Sequence, residues 1–286
     1  MPIAEERAIH AVDERPPAPA LADHIACVWT QTVSPDSTAF THRKAPHGSA
    51  ELVCVVGSMP CILGPQTGPI EQPLAPGTTI VGVRLRPEAA SSVLGLPSAA
   101  LVDLALDADE LWGDRAHALE ERVGLASSAE LAAARLEGAV AERLADASPP
   151  DPLVAQSVRR LMAGRRAAVA SMASSLFISE RQLRRRFEAA TGLAPTTLHR
   201  ILRFQRFLAL AWTRKHPSAQ VAELALEAGY ADQAHLSRDA VRLEGRPPGS
   251  FLPELEGRCC CGHDHSASYA PLLRQRQRTR TLAGRE

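Results

Sequence analysis

The chain has 286 residues, with 32 Lys+Arg against 32 Asp+Glu, 45% hydrophobic residues and only 4% aromatics. That apolar share sustains a packed core over one large domain or two ordinary ones and excludes disorder throughout. The opening MPIAEERAIHAVDERPPAPA is acidic and proline-rich, unlike a secretory leader, and no stretch approaches the about 18 apolar residues that cross a bilayer. A soluble, cytoplasmic protein with no membrane partner is expected.

The zero net charge hides a split. Residues 1–152 hold ten basic against 21 acidic side chains, 153–254 hold sixteen against eight, and 255–286 hold six against three. Halves of opposite sign point to a nucleic-acid-facing module attached to something else.

In chain order, residues 1–20 lack periodicity and read as a loose N-terminus. From 21 to about 86 the pattern is β-like: HIACVWTQTV, AELVCVVG, PCILG and TTIVGVRLRP are short apolar or alternating runs between Pro/Gly turns. Beyond Pro87 the period changes. PEAASSVLGL, SAALVDLAL, DRAHALEERVGL and SSAELAAARLEGAVAERLADA read as helices, the last with Ser128 as its N-cap. ASPPDP, 147–152, is a linker. After it the chain reads as all-helical to about 254, followed by a disordered tail, 255–286. The expected architecture is therefore α+β: an N-terminal sheet with helices over 21–146, then an all-α domain over 153–254.

The basic half contains a repeat. VASMASSLFISERQLRRRFEAATGLAP, from Val169, aligns with VAELALEAGYADQAHLSRDAVRLEGRPP, from Val221. Ala173 pairs with Ala225, Leu183 with Leu236, Arg185 with Arg238, Gly192 with Gly245 and Pro195 with Pro248. Each unit is a short helix, a tight turn, a longer helix and Gly-x-x-Pro, the layout of a helix-turn-helix. Ala173 and Ala225 suit a close helix crossing, and Gly229 suits a turn with positive φ. Leu183 and Phe187 share a core face, leaving Arg181, Arg184, Arg185 and Arg186 on the others. Arginine serves both phosphates and guanine edges, which is what a helix lodged in a major groove must do.

On these residues 153–254 resembles the AraC/XylS-type DNA-binding domain, two helix-turn-helix units bridged by a long helix; EAGYADQAHLSRDAVRLEGRPPGSF is its most specific segment. The resemblance implies two recognition helices in successive major grooves of double-stranded DNA. The bridge, Pro195 to about Trp212, spans on the order of 25 Å, compatible with grooves ~34 Å apart. Arg181, Arg184 and Arg185 are expected to read bases or phosphates in the first site, and Gln233, His235, Ser237 and Arg238 in the second. Arg203, Arg206 and Arg242 are expected on phosphates. Two positions depart from the family pattern: Phe177 stands at the first turn where Gly is usual, and Ala240 where a core Phe is usual.

Residues 21–145 resemble a less-characterised domain found beside such units, through HGSAELV, GPQT, VGVRLRPEAASSVLGLP and DELWG. This implies a small β-barrel or cupin-like sheet followed by helices, serving an effector or dimerisation, so a small-molecule effector and a homodimer join DNA as expected partners. His42, His47 and Glu51 only approximate a cupin metal set and read as solvated loop residues. Arg84 and Arg86 alternate on a strand, either facing an anionic ligand or, more simply, outward-facing and paired with carboxylates. Cys27, Cys54 and Cys61 read as small buried hydrophobes. No nucleophile–base pair, phosphate loop or catalytic residue stands out, so neither an enzyme nor a cofactor is expected. The tail cluster Cys259, Cys260, Cys261, His263 and His265 is rich in metal-ligand types but lacks a CxxC spacing. It keeps a metal- or redox-responsive sensor open as an alternative, beside a DNA-modifying enzyme carrying a DNA-binding module.

Overall fold

The computed structural model describes residues 10–38, 40–163, 169–257 and 265–273. Its N-terminal lobe is built on eight strands: β1 (His10–Arg15), β2 (Ile25–Val33), β3 (Phe40–Lys44), β4 (Glu51–Val55), β5 (Cys61–Leu63), β6 (Ile70–Leu74), β7 (Thr79–Leu85) and β8 (Ala105–Asp107). Six pair antiparallel in the order β1-β2-β7-β4-β5-β8, and β3 and β6 form a separate ribbon. The expected sheet followed by helices is present, and its strands pair antiparallel.

The two faces of the large sheet do different work. Leu52 and Cys54 of β4, and Val81, Val83 and Leu85 of β7, point one way and bury against helices. Those are α1 (Ala90–Leu94), α2 (Asp109–Trp112), α3 (Asp114–Gly124) and α4 (Ala129–Ala145). Ser128 caps α4 by accepting from Leu131 N at 3.2 Å, as expected. The opposite face carries Cys27, Trp29, Val33, Val53 and Ile80, and meets Leu74 of the ribbon. Gly82 lets Trp29 lie flat across this face: a Cβ there would stand 2.2 Å from Trp29 Cε2.

Three local expectations differ from the structure. The loose start ends at His10, because Val12 and Glu14 find a full antiparallel register with β2. Arg15 and the Ala18 amide then tie the strand's end to Glu137 of α4, at 2.7 and 2.6 Å. SAALVDLAL is not one helix. It makes a single 3-10 turn, Ser98–Leu101, and Ala105–Asp107 then pairs with β5 as β8. In the tail, Ser266–Leu273 is helical, because Leu272 and Tyr269 have a core to join.

Among the described residues eight helices follow: α5 (Pro152–Met162), α6 (Val169–Ser175), α7 (Glu180–Thr191), α8 (Pro195–Trp212), α9 (Val221–Ala228), α10 (Gln233–Glu244), α11 (Pro248–Gly257) and α12 (Ser266–Leu273). They share one apolar cluster, centred on Leu183, Phe187, Ile201, Phe204, Phe207 and Leu236. Asp151 starts α5 by accepting from Leu153 N at 2.9 Å with Pro152 at the first helical position, so the end of the proline-rich connection is itself a helix cap. The lobes adjoin closely. Gln205 Nε2 donates to Pro46 O at 2.8 Å, and Gly48, with φ +82°, backs onto Leu198 and Ile201.

Candidate nucleic-acid interface

The first unit is set by its turn and cap. Ser179 and Gln182 form a reciprocal capping box: Ser179 Oγ accepts from Gln182 N at 3.2 Å and Gln182 Oε1 from Ser179 N at 3.1 Å. With the start of α7 pinned, its period sends Leu183 and Phe187 wholly into the core and leaves Arg181, Arg184 and Arg185 exposed on the outer face. Arg184 stands 4.0 Å from Glu180, one turn back. Arg186 points away from that face, donating from Nε to Asp151 Oδ2 at 2.6 Å. The C-terminal end of α7 abuts the N-terminal lobe, where a Cβ on Gly192 would meet Ser98 O at 2.8 Å. The arginine face stays open beside Pro97 and Ala99.

The anomalous turn keeps the backbone that glycine would take. Phe177 has φ +56°, and its counterpart Gly229 in the second unit has φ +97°. Its ring gains nothing in return from the core, being 96% exposed.

In the second unit Asp232 caps α10, accepting from His235 N at 2.7 Å. Leu236, Ala240 and Leu243 face inward. Gln233, Arg238 and Arg242 are exposed; His235 and Ser237 are half-buried. Arg203 of α8 is not a free cation: its Nη2 donates to Asp239 Oδ2 at 2.7 Å and to His235 Nε2 at 3.0 Å. Its guanidinium lies 4.2 Å from the centroid of the Tyr230 ring. Since Arg203 can only donate, Nε2 of His235 is an acceptor and the imidazole proton sits on Nδ1. Arg203 thus clamps α10 to α8 and orients His235. Beside it, Thr196, His199 and Arg200 of α8 and Arg238 and Arg242 of α10 line a cationic notch of about 370 Å³. Arg206, half-buried further along α8, does not line it. Sequence reasoning missed Arg200, whose i, i+3 relation to Arg203 on α8 was the available signal.

Behind this surface the inner sheet face, the β3–β6 ribbon and α8, α11 and α12 enclose a cavity of about 610 Å³. Here the structure corrects the sequence reading. Arg84 faces inward, only 12% exposed, with Nε donating to Glu51 Oε1 at 2.9 Å and Nη1 lying 3.6 Å from Glu14 Oε1. Arg86 does not join it; its Nε donates to Ala22 O at 2.5 Å. His47 and Glu51 are not solvated either. Glu51 is 1% exposed and takes His47 Nε2 at 3.2 Å, Trp29 Nε1 at 3.2 Å and Lys44 Nζ. They are buried because period-2 alternation on β4 and β7 points Glu51 and Arg84 to the concave side that the ribbon covers.

Burial alone would raise the Glu51 carboxyl, but His47, Lys44 and Arg84 outweigh it and hold it well below the ordinary range. Glu14 is likewise opposed by burial, yet the His265 hydrogen bond and the Arg84 charge bring it down to about 2. Burial pushes His47 down to about 4, so it is neutral at pH 7. Cys27 and Cys54 are buried as expected, their thiols pushed up to about 11 by burial, while Cys61 is half-buried.

The tail supplies the last wall. Ser268 N donates to Glu14 Oε2 at 3.0 Å, its hydroxyl bonds the same carboxylate, and Arg84 Nη1 donates to Ser268 Oγ at 2.8 Å. His265 Nδ1 stands 3.3 Å from Glu14 Oε1 and edge-on to Trp212 at 5.2 Å. Cys259, Cys260, Cys261 and His263 lie outside the described residues. Among the described residues no group of three or more His, Cys, Asp and Glu is placed to hold a metal ion, and no helix is long and apolar enough to cross a membrane.

Comparison with known proteins assigns both parts of the chain. Residues 172–253 match a helix-turn-helix domain, and residues 13–107 match a domain of unknown function, DUF6597. No curated protein matches the chain. Among solved structures, an apo form of ToxT from Vibrio cholerae strain SCE256 is similar at 12% identity and TM-score 0.45, covering 88% of this chain and 99% of that one. Wild-type ToxT of the same strain with bound unsaturated fatty acid is similar at 13% identity and TM-score 0.42, covering 90% and 99%.

Proposed function

We propose, from the premise that residues 172–253 are an AraC-type helix-turn-helix domain joined to a DUF6597 domain, that the chain is a sequence-specific regulator of transcription in the cytoplasm. In this reading residues 153–254 bind double-stranded DNA, 147–152 join them to the remainder, and 21–146 serve an effector or a second copy of the chain. Strand β1 and helix α12 belong with the effector part, because they wall the same cavity.

One observation carries the DNA reading. A helix fixed by a capping box buries Leu183 and Phe187 completely and presents Arg181, Arg184 and Arg185 to solvent. Like charges so close repel unless an anion is supplied, and a phosphate-lined major groove supplies it. In mechanism, α7 and α10 enter successive major grooves, held apart by the 18 residues of α8, about 27 Å at 1.5 Å per residue. Arg181, Arg184 and Arg185 read the first groove; Gln233, His235, Ser237 and Arg238 read the second, with His235 presenting Nδ1–H. Arg242 and Arg200 meet phosphates at the notch, and Arg203 acts as a positioning residue.

Selection of bound duplexes from a random pool, followed by titration of Arg185→Ala and Arg238→Ala, tests this. Each substitution is expected to weaken the selected duplex by ~1–3 kcal/mol and to relax one base position. Equal losses on selected and random duplex would reduce both residues to phosphate contacts, and an unenriched pool would refute sequence specificity.

A further inference from the structure

The cavity's charges cancel among themselves. Three carboxylates line it, Glu14, Glu71 and Glu244, and so do four Lys and Arg side chains, Arg43, Lys44, Arg84 and Arg246; the fourth acid, Glu51, stands directly behind Lys44 and Arg84. They are matched in place: Arg84 lies between Glu14 and Glu51, Lys44 sits on Glu51, Arg43 on Glu71, and Arg246 lies 3.3 Å from Glu244. Lys44 also lies over the Trp29 ring at 4.9 Å. A charged ligand entering here would shed its hydration and meet no counter-charge that is not already engaged.

Two lining side chains, Gln31 and His47, hold buried polar atoms without a partner among the described residues. Gln31, 4% exposed, lines the cavity and holds a buried Nε2 that has no partner among the described residues. His47 Nδ1 is also buried without a partner, and because Nε2 faces the Glu51 carboxylate as a donor, Nδ1 of the neutral ring is an acceptor. Buried polar groups in folded proteins are nearly always paired, so one spare donor and one spare acceptor in one cavity call for a ligand that offers the complement. The other walls are rings and aliphatic chains: Trp29, Trp212, Phe251, Tyr269 and Leu208.

We propose that this cavity binds an uncharged small molecule of aromatic or alicyclic skeleton carrying a hydroxyl group, which accepts from Gln31 and donates to His47. At about 610 Å³ the space suits such a ligand. The inference rests on the reading of the N-terminal part as an effector lobe and gives that effector a chemical class.

Three probes of one skeleton and different charge test it: 2-naphthol, 2-naphthoate and 2-naphthylmethylammonium, titrated into the full chain at pH 7 by calorimetry, with Trp fluorescence in parallel. The naphthol is expected to bind at least ten-fold more tightly than either ion. Gln31→Leu and His47→Phe are each expected to weaken it about ten-fold, with the thermal melt checked for folding. Should either variant fail to fold, Leu208→Trp, which fills the space from α8, is expected to abolish binding in a folded protein. Preference for either ion overturns the proposal. So does naphthol binding that ignores Gln31→Leu and Leu208→Trp, or no binding of any probe. Affinity for the selected duplex, measured in the same samples, separates the two readings: naphthol binding without effect on DNA keeps the ligand site and removes its effector role, whereas loss of the ligand site leaves DNA recognition standing.

Discussion

Replacing Arg84 by Met tests how the buried charges on the inner face of the sheet hold one another. The guanidinium is 12% exposed and faces two carboxylates, Glu51 at 2.9 Å and Glu14 at 3.6 Å. Methionine restores most of the aliphatic volume but leaves both acids buried with one cation fewer. Breaking a buried pair on one side costs about 3–5 kcal/mol. Here Glu51 keeps Lys44 and His47, and Glu14 keeps His265 and Ser268. The loss should therefore fall near the lower end, about 3 kcal/mol, a large part of the about 5–15 kcal/mol that holds a folded protein together. Urea unfolding at pH 7 measures it. The double variant Arg84→Met/Glu51→Gln should regain a substantial part, because the uncompensated charge is gone, and it gives a folded reference if the single variant does not fold. A single-variant loss under about 1 kcal/mol, or a double variant no more stable than the single, would refute the reasoning.

Three further outcomes are expected. Phe177→Gly should stabilise the chain by ~1 kcal/mol, since a side chain with φ +56° and 96% exposure gives up strain and loses no packing; a melting temperature that falls would contradict it. Arg203→Ala should lower DNA affinity while leaving its salt dependence unchanged, as expected of a residue engaged by Asp239, whereas Arg242→Ala should reduce the salt slope by about one. Acid should erode stability in two stages. His47 titrates near 6.5 unfolded but about 4 folded, so its contribution is complete above 6.5 and lost as pH falls from there through 4. Glu14, moved from 4.5 to about 2, contributes fully above 4.5 and is lost as pH falls through 2. His47→Gln should flatten only the upper stage in urea titrations across pH, and an unchanged profile would exclude the assignment.

The helical half was legible because its signals are local. Apolar residues four apart are written within a few positions, and the repeat sets two such runs, from Val169 and from Val221, in the same order. Even the departure at Phe177 was readable, and the turn tolerates left-handed strain at that residue. The cavity was not legible. Period-2 alternation separates Glu14, Glu51 and Arg84 from their apolar neighbours, but it names two faces without saying which is covered. The covering elements come from the ribbon and from α12, and the bonds that decide the matter join positions 33 apart, Glu51 to Arg84, and 254 apart, Glu14 to Ser268. The same distance in sequence hid the fate of 98–107: Ala105–Asp107 becomes a strand because β5 offers an edge, a fact with no local trace.

The bond from Ser268 back to Glu14 also sets an order of events during synthesis. A ribosome adding about 5–20 residues per second delivers the first partner long before the second, so the acid at position 14 waits on the order of ten seconds or more for its closing hydroxyl. Nascent chains thus carry an unfinished chamber until codon 268 is read, and any product stopped short of that codon never acquires the seal.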